Sequence, residues 1–292
     1  FGRLCEQMRG GRFPAAVLVA SVAGAGGEEL VRALSDALLC QASVSGSGGG
    51  TEVPCGLCKS CLLSRVDTHP DRVVVMPEEK GKAIRVDQIR ALNDFVYSRP
   101  QIGSRRVVIL QPAEAMNLNA SNALLKTLEE PAPDACLLLT SSSPARLLPT
   151  IRSRCFRVTP VIPEPAVARA WLLQHWPGEG LDRALLNAHG SPLLALEALR
   201  DGADLVRQEV IDEWKAFLGG SRDAFSVAEH WAKVDQDDLI DWMITALHAQ
   251  ARAPSLGLSE QKIHQLHGEL LDIARGWSEK RNLNPALQWE NW

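Results

Sequence analysis

The sequence predicts an α/β domain built on a parallel sheet, followed by a region that is entirely helical. Up to about residue 160, short apolar runs alternate with segments of helical periodicity, the pattern of a parallel sheet wrapped by helices. Beyond about residue 166 only helical patterns follow. All seven cysteines lie at or before Cys155, whereas all eight tryptophans lie at or after Trp171. This shift in composition indicates a domain boundary near residues 156–170.

Each predicted strand is a continuous apolar run, which is typical of strands buried on both faces of a sheet. In chain order these runs are Ala15–Ala20, Val73–Met76, Arg106–Leu110, Cys136–Thr140 and Cys155–Thr159. Between them, the spacing of apolar residues predicts the helices Glu28–Cys40, Val86–Tyr97 and Asn119–Glu130. Pro131 ends the last of these helices, because proline lacks the N–H that would continue the hydrogen-bond ladder.

The helices of the C-terminal region are predicted from the same apolar spacing. They are Ala166–His175, Leu181–His189, Leu193–Arg200, Leu205–Leu218, Ser226–Lys233, Asp237–Ala251 and Ser259–Ser278. The glycine- and serine-rich segment Val44–Thr51 has no such spacing, and we expect it to form a flexible loop.

Charge and composition exclude some classes of protein. The 292 residues carry a net charge of −4 with a pI near 6.0, which argues against a protein held mainly by phosphate contacts. No apolar run approaches the roughly 20 residues that cross a membrane, and the first residues do not form a secretory signal. Because the chain begins at Phe1, we expect further residues to precede it. Cysteines without a signal segment indicate a reducing compartment, and we expect a cytoplasmic protein.

A glycine-rich segment, Ser21–Glu28, follows the first apolar run and leads into a helix, which is the arrangement of a phosphate-binding loop. Such a loop needs a lysine to reach the terminal phosphates and a hydroxyl to hold magnesium. Those positions are Gly27 and Glu28, so the turn at Gly24 and Gly26 is kept while the ligands are lost. The alternative is an ordinary glycine-rich turn that never bound a nucleotide.

The end of the third predicted strand lacks nucleotide chemistry as well. In phosphate-binding-loop ATPases an acidic pair at this place holds magnesium and activates water. Here the apolar run Arg106–Leu110 ends in Gln111-Pro112. With two such sites blank in one chain, we expect that it binds no ATP and hydrolyses none.

Four cysteines predict a metal site. Cys55-x2-Cys58-x2-Cys61 places three thiols on a tight turn, and Cys40 lies upstream at the end of a predicted helix. Zinc prefers four thiolates in a tetrahedron, and four protein ligands leave no open position, so we expect a structural Zn²⁺. Unpaired or redox cysteines are the alternative, and His69 is the rival for the fourth ligand position.

Ser153-Arg154-Cys155 follows a predicted turn and short helix before the last strand. An arginine at a domain edge can stabilise a phosphate bound to another subunit, as an arginine finger does. Without further context, a surface arginine that caps a carbonyl or pairs with a carboxylate is the simpler interpretation.

Three stretches in combination resemble the clamp-loader branch of the AAA+ proteins: Asn122–Pro131 (NALLKTLEEP), Leu137–Thr140 and Ile151–Cys155 (IRSRC). The cysteine module, with Thr68-His-Pro-Asp71 behind it, is similar to that of bacterial DNA polymerase III clamp-loader subunits. The resemblance is detailed over residues 15–160. The blank phosphate loop favours a subunit that does not use ATP over the ATP-using gamma/tau type.

The resemblance implies roles for individual residues. The family's arginine finger corresponds to Arg154, between Ser153 and Cys155. The family's zinc ligands correspond to Cys40, Cys55, Cys58 and Cys61. The loop between Cys40 and Cys55 is longer than the family's usual spacing, so the assignment of Cys40 depends on how this loop folds. Leu193 stands where ATP-using relatives carry a nucleotide-sensing arginine.

The resemblance also implies an organisation and a function. Residues 1–160 would form an AAA+-like domain with the zinc module at about 40–64, residues 161–202 a small helical lid, and residues 203–292 a helical collar. The chain would be a stator-like subunit of the replicative clamp loader in the bacterial replisome, at the nucleoid. It would assemble with gamma/tau ATPase subunits and the delta subunit, and would reach the sliding clamp and primer-template DNA through the complex.

Two other functions are weighed against this one. An active clamp-loader ATPase of the gamma/tau type is opposed by Gly27, Glu28 and Gln111. A zinc-dependent nucleic-acid-binding module is opposed by the acidic balance of the chain and by the lack of a basic helix beside the cysteines.

Overall fold

The computed structural model describes most of the chain. The described residues are Leu4, Gln7, 13–22, 24–43, 54–79, 81–252, 258–278 and 284–292. The loop expected at Val44–Thr51 lies outside them. By the density of contacts the chain divides into two compact units. The first comprises Phe1–Gln174 with Ala188–Leu194, and the second comprises His175–Asn187 with Ala195–Trp292. The three-domain division expected from the sequence stays a prediction.

In the described part of the first unit, one five-stranded sheet carries the fold. Its strands are β1 Ala16–Ala20, β2 Arg72–Val75, β3 Arg106–Leu110, β4 Ala135–Ser141 and β5 Phe156–Val158. The order across the sheet is β2-β3-β4-β1-β5, and every neighbouring pair is parallel. Each strand was expected from its apolar run, with ends within one residue of those observed. The prediction of an α/β fold with a parallel sheet is confirmed.

Helices pack on both faces of the sheet. In chain order, the helices up to residue 175 are α1 Gly27–Leu39, α2 Lys59–Arg65, α3 Val86–Tyr97, α4 Leu118–Glu129, α5 Pro149–Arg152 and α6 Pro165–His175. Val31 and Leu34 of α1 pack in the core on one face of the sheet. Ile89 of α3 and Leu124 of α4 pack in the core on the other face. The sheet is therefore buried on both sides, which is why its strands are apolar throughout.

The connections place two groups of residues at opposite edges of the sheet. In parallel α/β sheets the loops after the strands meet at the carboxyl edge, where such folds bind their ligands. The residues Ser21, Val22 and Gly24–Gly26 after β1 and Gln111 after β3 lie at this edge. Helix α1 then runs back, so that Cys40 at its end lies at the amino edge. The phosphate loop and the cysteine group are thus separated by the length of α1.

The second unit is helical in its described residues. The helices from residue 181 onward are α7 Leu181–Asn187, α8 Pro192–Asp201, α9 Ala203–Leu218, α10 Ala224–Trp231, α11 Gln236–Arg252, α12 Glu260–Ser278 and α13 Pro285–Asn291. Of these helices, only α13 was not expected from the sequence. The first residues of α8 belong to the first unit.

Tryptophans form much of the core of this second unit. Trp214, Trp231 and Trp289 are buried, and the rings of Trp231 and Trp289 meet edge to face with centroids 5.6 Å apart. The indole N–H of Trp289 donates to Oε1 of Gln236 at 2.7 Å, which satisfies its one polar group. None of the helices within the described residues is both long enough and apolar enough to cross a membrane.

Candidate functional sites

The cysteine group is assembled by the end of one helix and the start of another. Cys40 follows α1 directly, while Cys55 and Cys58 lie on the turn before α2, where Gly56 takes a φ of +71°. Cys58 caps the N-terminus of α2, and its Sγ accepts the backbone N–H of Cys61 at 3.4 Å. The Sγ of Cys40 accepts the N–H of Cys55, also at 3.4 Å, which ties the two halves of the group together.

The four thiols have the spacing of a tetrahedral metal site. Cys40 Sγ lies 4.0 Å from Cys58 Sγ, and Cys55 Sγ lies 3.9 Å from Cys61 Sγ. All four sulfurs lie within 4.8 Å of one another. A zinc ion at about 2.3 Å from each thiolate would hold them about 3.8 Å apart. The donor set and its geometry therefore fit a four-thiolate zinc.

The electrostatic surroundings of the thiols differ. Backbone N–H groups of Leu57 and Cys58 lower the pKa of the Cys55 thiol to about 6. Burial raises the pKa of the thiols of Cys40 and Cys61. The backbone N–H groups around Cys55 therefore stabilise its thiolate, the form of cysteine that binds metals.

His69 does not join this group. Among the described residues the clustered ligand atoms are those of the four cysteines. His69 is buried, and its Nδ1 accepts the backbone N–H of Asp71 at 3.0 Å. The structure therefore brings Cys40, and not His69, into the fourth position.

Arg72 links the cysteine module to the sheet, a role that sequence reasoning missed. Its side chain on β2 is buried, and its guanidinium pairs with Asp36 of α1 at 2.8 Å and with Asp67 at 2.6 Å. It also donates to the carbonyl of Ser64 in α2 at 3.0 Å. One arginine thus holds α2 against α1.

The neighbouring Asp71 anchors a loop and was likewise not recognised beyond its motif. It is buried, and its carboxylate accepts the backbone N–H groups of Gln101, Ile102 and Gly103 at 2.6–3.2 Å. Burial alone would raise the pKa of Asp71, but these hydrogen bonds outweigh it, and the pKa lies below its usual value.

The phosphate loop at the other end of α1 is packed against the segment that begins at Ser191. Gly24 has a φ of +73°, and its carbonyl accepts a hydrogen bond from Ser191 Oγ at 2.6 Å. A Cβ on Gly24 would lie 2.3 Å from Cγ of Leu194, and a Cβ on Gly26 would lie 3.6 Å from Cδ1 of Leu193. The glycines therefore face the side chains of this chain at close range.

The start of α1 is crowded and acidic. A Cβ on Gly27 would lie 2.1 Å from Oγ of Ser21, so the lysine of an active loop would displace that serine. Glu28 and Glu29 place two negative charges in the first turn of the helix. Their negative charge is placed where the helix dipole would otherwise attract an anion.

Beyond β3, a carboxylate that was not predicted contacts the end of β4. Oε1 of Glu114 accepts hydrogen bonds from Ser142 N and Oγ, both at 2.9 Å, and from Ser143 N at 3.1 Å. Burial would raise the pKa of Glu114, but hydrogen bonds from its own backbone N–H and from Ser142 outweigh it, and the pKa lies below its usual value. Glu114 lines a cleft of about 780 Å³ together with Glu28 and Gln111. Glu114 thus ties the turn after β3 to the end of β4.

Arg154 lies on the surface, just after α5. Its side chain is 34% exposed, with Nη2 at 2.6 Å from Oε1 of Glu129 and Nη1 donating to the carbonyl of Thr150 at 3.0 Å. Ser153 Oγ donates to the same carbonyl at 3.1 Å. Cys155 packs against the core. This burial raises the pKa of its thiol to about 11.

Comparisons with known proteins place the chain in context. The family described as "DNA polymerase III, delta subunit" matches residues 1–160. The chain is 43% identical to DNA polymerase III subunit delta' of Pseudomonas aeruginosa, over 78% of this chain and 68% of that one. It is 34% identical to the protein of the same name from Haemophilus influenzae, over 93% of this chain and 79% of the relative.

A solved structure is similar in fold. The crystal structure of a DNA polymerase III gamma subunit-related protein from Thermotoga maritima superimposes with a TM-score of 0.57. The two share 20% sequence identity over 99% of this chain and 96% of that one. This likeness supports the α/β architecture described above.

Proposed function

The chain belongs to the delta-prime clamp-loader subunits of DNA polymerase III, and from this premise we propose that it serves a neighbour's ATP site rather than its own. It neither binds nor hydrolyses ATP, and it presents Arg154 to a nucleotide held by an adjacent subunit. The resemblance in the sequence pointed to this family, and that part of the prediction is confirmed. The output is the loading of a ring-shaped sliding clamp onto primed DNA during replication.

One observation supports the proposal: the glycine-rich loop packs against the segment of this chain that begins at Ser191. Ser191 is fully buried and hydrogen-bonded to the Gly24 carbonyl, while Leu194 lies against the glycine. A nucleotide would have to displace this packing without a lysine to attract its phosphates. The loop is better suited to hold the segment 190–194 than to hold a ligand.

Arg154 supports the second half of the proposal. Its guanidinium is held at the surface by partners that are partly exposed, so a phosphate can compete for it at modest cost. An arginine supplied by one subunit to another's nucleotide stabilises the charge of the transferring phosphoryl group. Ser153 and Cys155 would position it from either side.

The proposed partners follow from the same role. Gamma/tau subunits would carry the ATP sites, and the delta subunit would complete the ring. The helices of residues 203–292 would provide the contacts among subunits. The clamp and the primer-template DNA would be reached through the assembled complex, in the replisome at the bacterial nucleoid.

The cysteine group is proposed to hold a structural Zn²⁺. Cys40, Cys55, Cys58 and Cys61 would be its ligands, and with four protein ligands the ion would cross-link the module and leave no position for a substrate. The ion would fix the start of α2 to the end of α1, and Arg72 holds the same two helices further along.

Calorimetric titration of the isolated chain with MgATP tests the proposal. We expect no binding up to millimolar nucleotide, and none after Gly27→Lys, because that side chain meets Ser21 while Leu194 still covers Gly24. An ATP-using gamma/tau subunit in the same buffer is the positive control. Tight binding by the unmodified chain would favour the rival function of an active ATPase.

A further inference from the structure

Helix α2 buries two serines and exposes a leucine, contrary to the usual pattern of a surface helix. It buries Ser60, Cys61 and Ser64, whereas Leu62 is 51% exposed and Val66, the residue that ends the helix, is 63% exposed. A surface helix ordinarily turns its apolar stripe toward the core and its polar residues to water. Ligation by Cys61 accounts for the inward cysteine, but it does not require leucine and valine on the outside.

The outward residues form one continuous stripe. Leu62 and Val66 are four residues apart, so they lie on the same face, one turn from each other. Leu57 precedes the N-cap Cys58 and is 85% exposed. Three large aliphatic side chains are therefore exposed on the cysteine module, and two of them share one helix face.

Two cations border this stripe. At 100° per residue, Lys59 and Arg65 lie about 60° to either side of Leu62, and both are exposed. Arg65 also donates to the Gly56 carbonyl at 3.2 Å, which orients its guanidinium along the module. We name the five residues Leu57, Lys59, Leu62, Arg65 and Val66 the α2 surface.

Asp67, the acidic residue that follows the helix in sequence, does not cancel this positive charge. Asp67 is paired with the buried Arg72 at 2.6 Å and with Arg32 at 3.4 Å. The α2 surface thus stands out as cationic on a chain whose net charge is −4. Exposed apolar patches that are rimmed by polar residues mark sites of protein association.

We propose that the α2 surface is a docking site for an acidic amphipathic helix of a partner protein, one with aliphatic residues at i and i+4 and carboxylates beside them. The aliphatic residues would pack on Leu62 and Val66, and the carboxylates would pair with Lys59 and Arg65. Helix α2 has seven residues, about 10 Å, which matches two turns of a partner helix.

The chemistry of the surface favours protein over nucleic acid. Single-stranded nucleic acid binds by stacking its bases on aromatic side chains, and the α2 surface has none. Two cations are too few to follow a duplex backbone, whose binding proteins make about six to ten phosphate contacts. This inference does not use Arg154 or the phosphate loop, so it holds or fails independently of the proposed function.

Fluorescence anisotropy with two synthetic helical peptides tests the proposal on the full chain prepared with zinc. The probe peptide has leucine at i and i+4 and glutamate at flanking positions, and its partner has lysine in place of each glutamate. We expect saturable binding of the acidic peptide only. Leu62→Glu should weaken it at least tenfold, and Lys59→Glu should weaken it severalfold.

The matched control is Leu186→Glu, since Leu186 is also an exposed leucine, 77% exposed, on a helix of the second unit. Unchanged zinc content and circular dichroism show that each variant is folded. Equal binding of both peptides, no binding of either, or binding that Leu62→Glu leaves unchanged would each overturn the proposal. So would binding of an oligonucleotide, or self-association seen by sedimentation, if Leu62→Glu abolishes it.

Discussion

Arg154 and Glu129 form an ion pair on the surface of the α/β unit, with Nη2 and Oε1 2.6 Å apart. Glu129 ends α4, within the NALLKTLEEP stretch, and Arg154 follows α5, so the pair joins the two stretches that carry the sequence resemblance. Both side chains are partly exposed, and such a pair contributes about 0–1 kcal/mol. The contact therefore orients the arginine without holding it strongly.

This pairing predicts that Glu129 competes with the neighbour's nucleotide for Arg154. In a reconstituted clamp loader, Glu129→Gln should raise the ATPase rate by up to about fivefold, the factor that corresponds to 1 kcal/mol. Glu130→Gln, one residue on and also exposed, is the control and should change nothing. A rate that falls toward that of a chain without Arg154 would show that Glu129 positions the arginine instead.

The packing of Leu194 against the glycine-rich loop predicts that a methyl group at Gly24 lowers the free energy of unfolding. Gly24→Ala combines a positive φ, worth about 1–2 kcal/mol, with a Cβ that would lie 2.3 Å from Leu194. Gly81→Ala is the matched control, since its φ is +79° and nothing lies within 4 Å of the added carbon. The free energy of unfolding in urea should fall by at least about 1 kcal/mol more for Gly24→Ala than for the control. Equal losses would contradict the packing described for the loop.

The cysteine geometry predicts which fourth residue holds the metal. Cys40→Ser should reduce bound zinc well below one ion per chain, because serine does not replace a thiolate as a zinc ligand. His69→Gln should retain zinc, since the imidazole bonds to the Asp71 backbone. Metal content by atomic emission, after dialysis against a weak chelator, checks both variants. Zinc lost from His69→Gln and kept by Cys40→Ser would reverse the assignment.

Continuous apolar runs made the sheet predictable, because strands buried on both faces carry few polar residues. Helix α2 was not predicted, since its buried Ser60 and Ser64 and its exposed Leu62 invert the usual pattern. Cys61 faces inward as a member of the thiol cluster, a direction that no periodicity reveals. Helix α13 is short, and a seven-residue segment carries little periodicity.

The site residues also differ in how far the sequence could predict them. The cysteines and Arg154 were recognisable because their neighbours in sequence form motifs. The roles of Arg72 and Glu114 depend on partners about 30 residues away, Asp36 and Ser142, which only the folded chain brings together. Leu194 and Gly24 are still further apart in the sequence. The sequence showed only that Leu193 stands where ATP-using relatives carry an arginine.

The decisive measurement compares Arg154→Ala with Arg152→Ala in the reconstituted clamp loader. Arg152 is an equally basic, exposed neighbour at the end of α5, and its replacement should leave activity near the unmodified level. With assembly intact by gel filtration, Arg154→Ala should lower ATP turnover and slow clamp loading at least tenfold, since an arginine finger contributes about 10³-fold or more at its own site. Unchanged turnover and loading in a fully assembled complex would contradict the role given to Arg154.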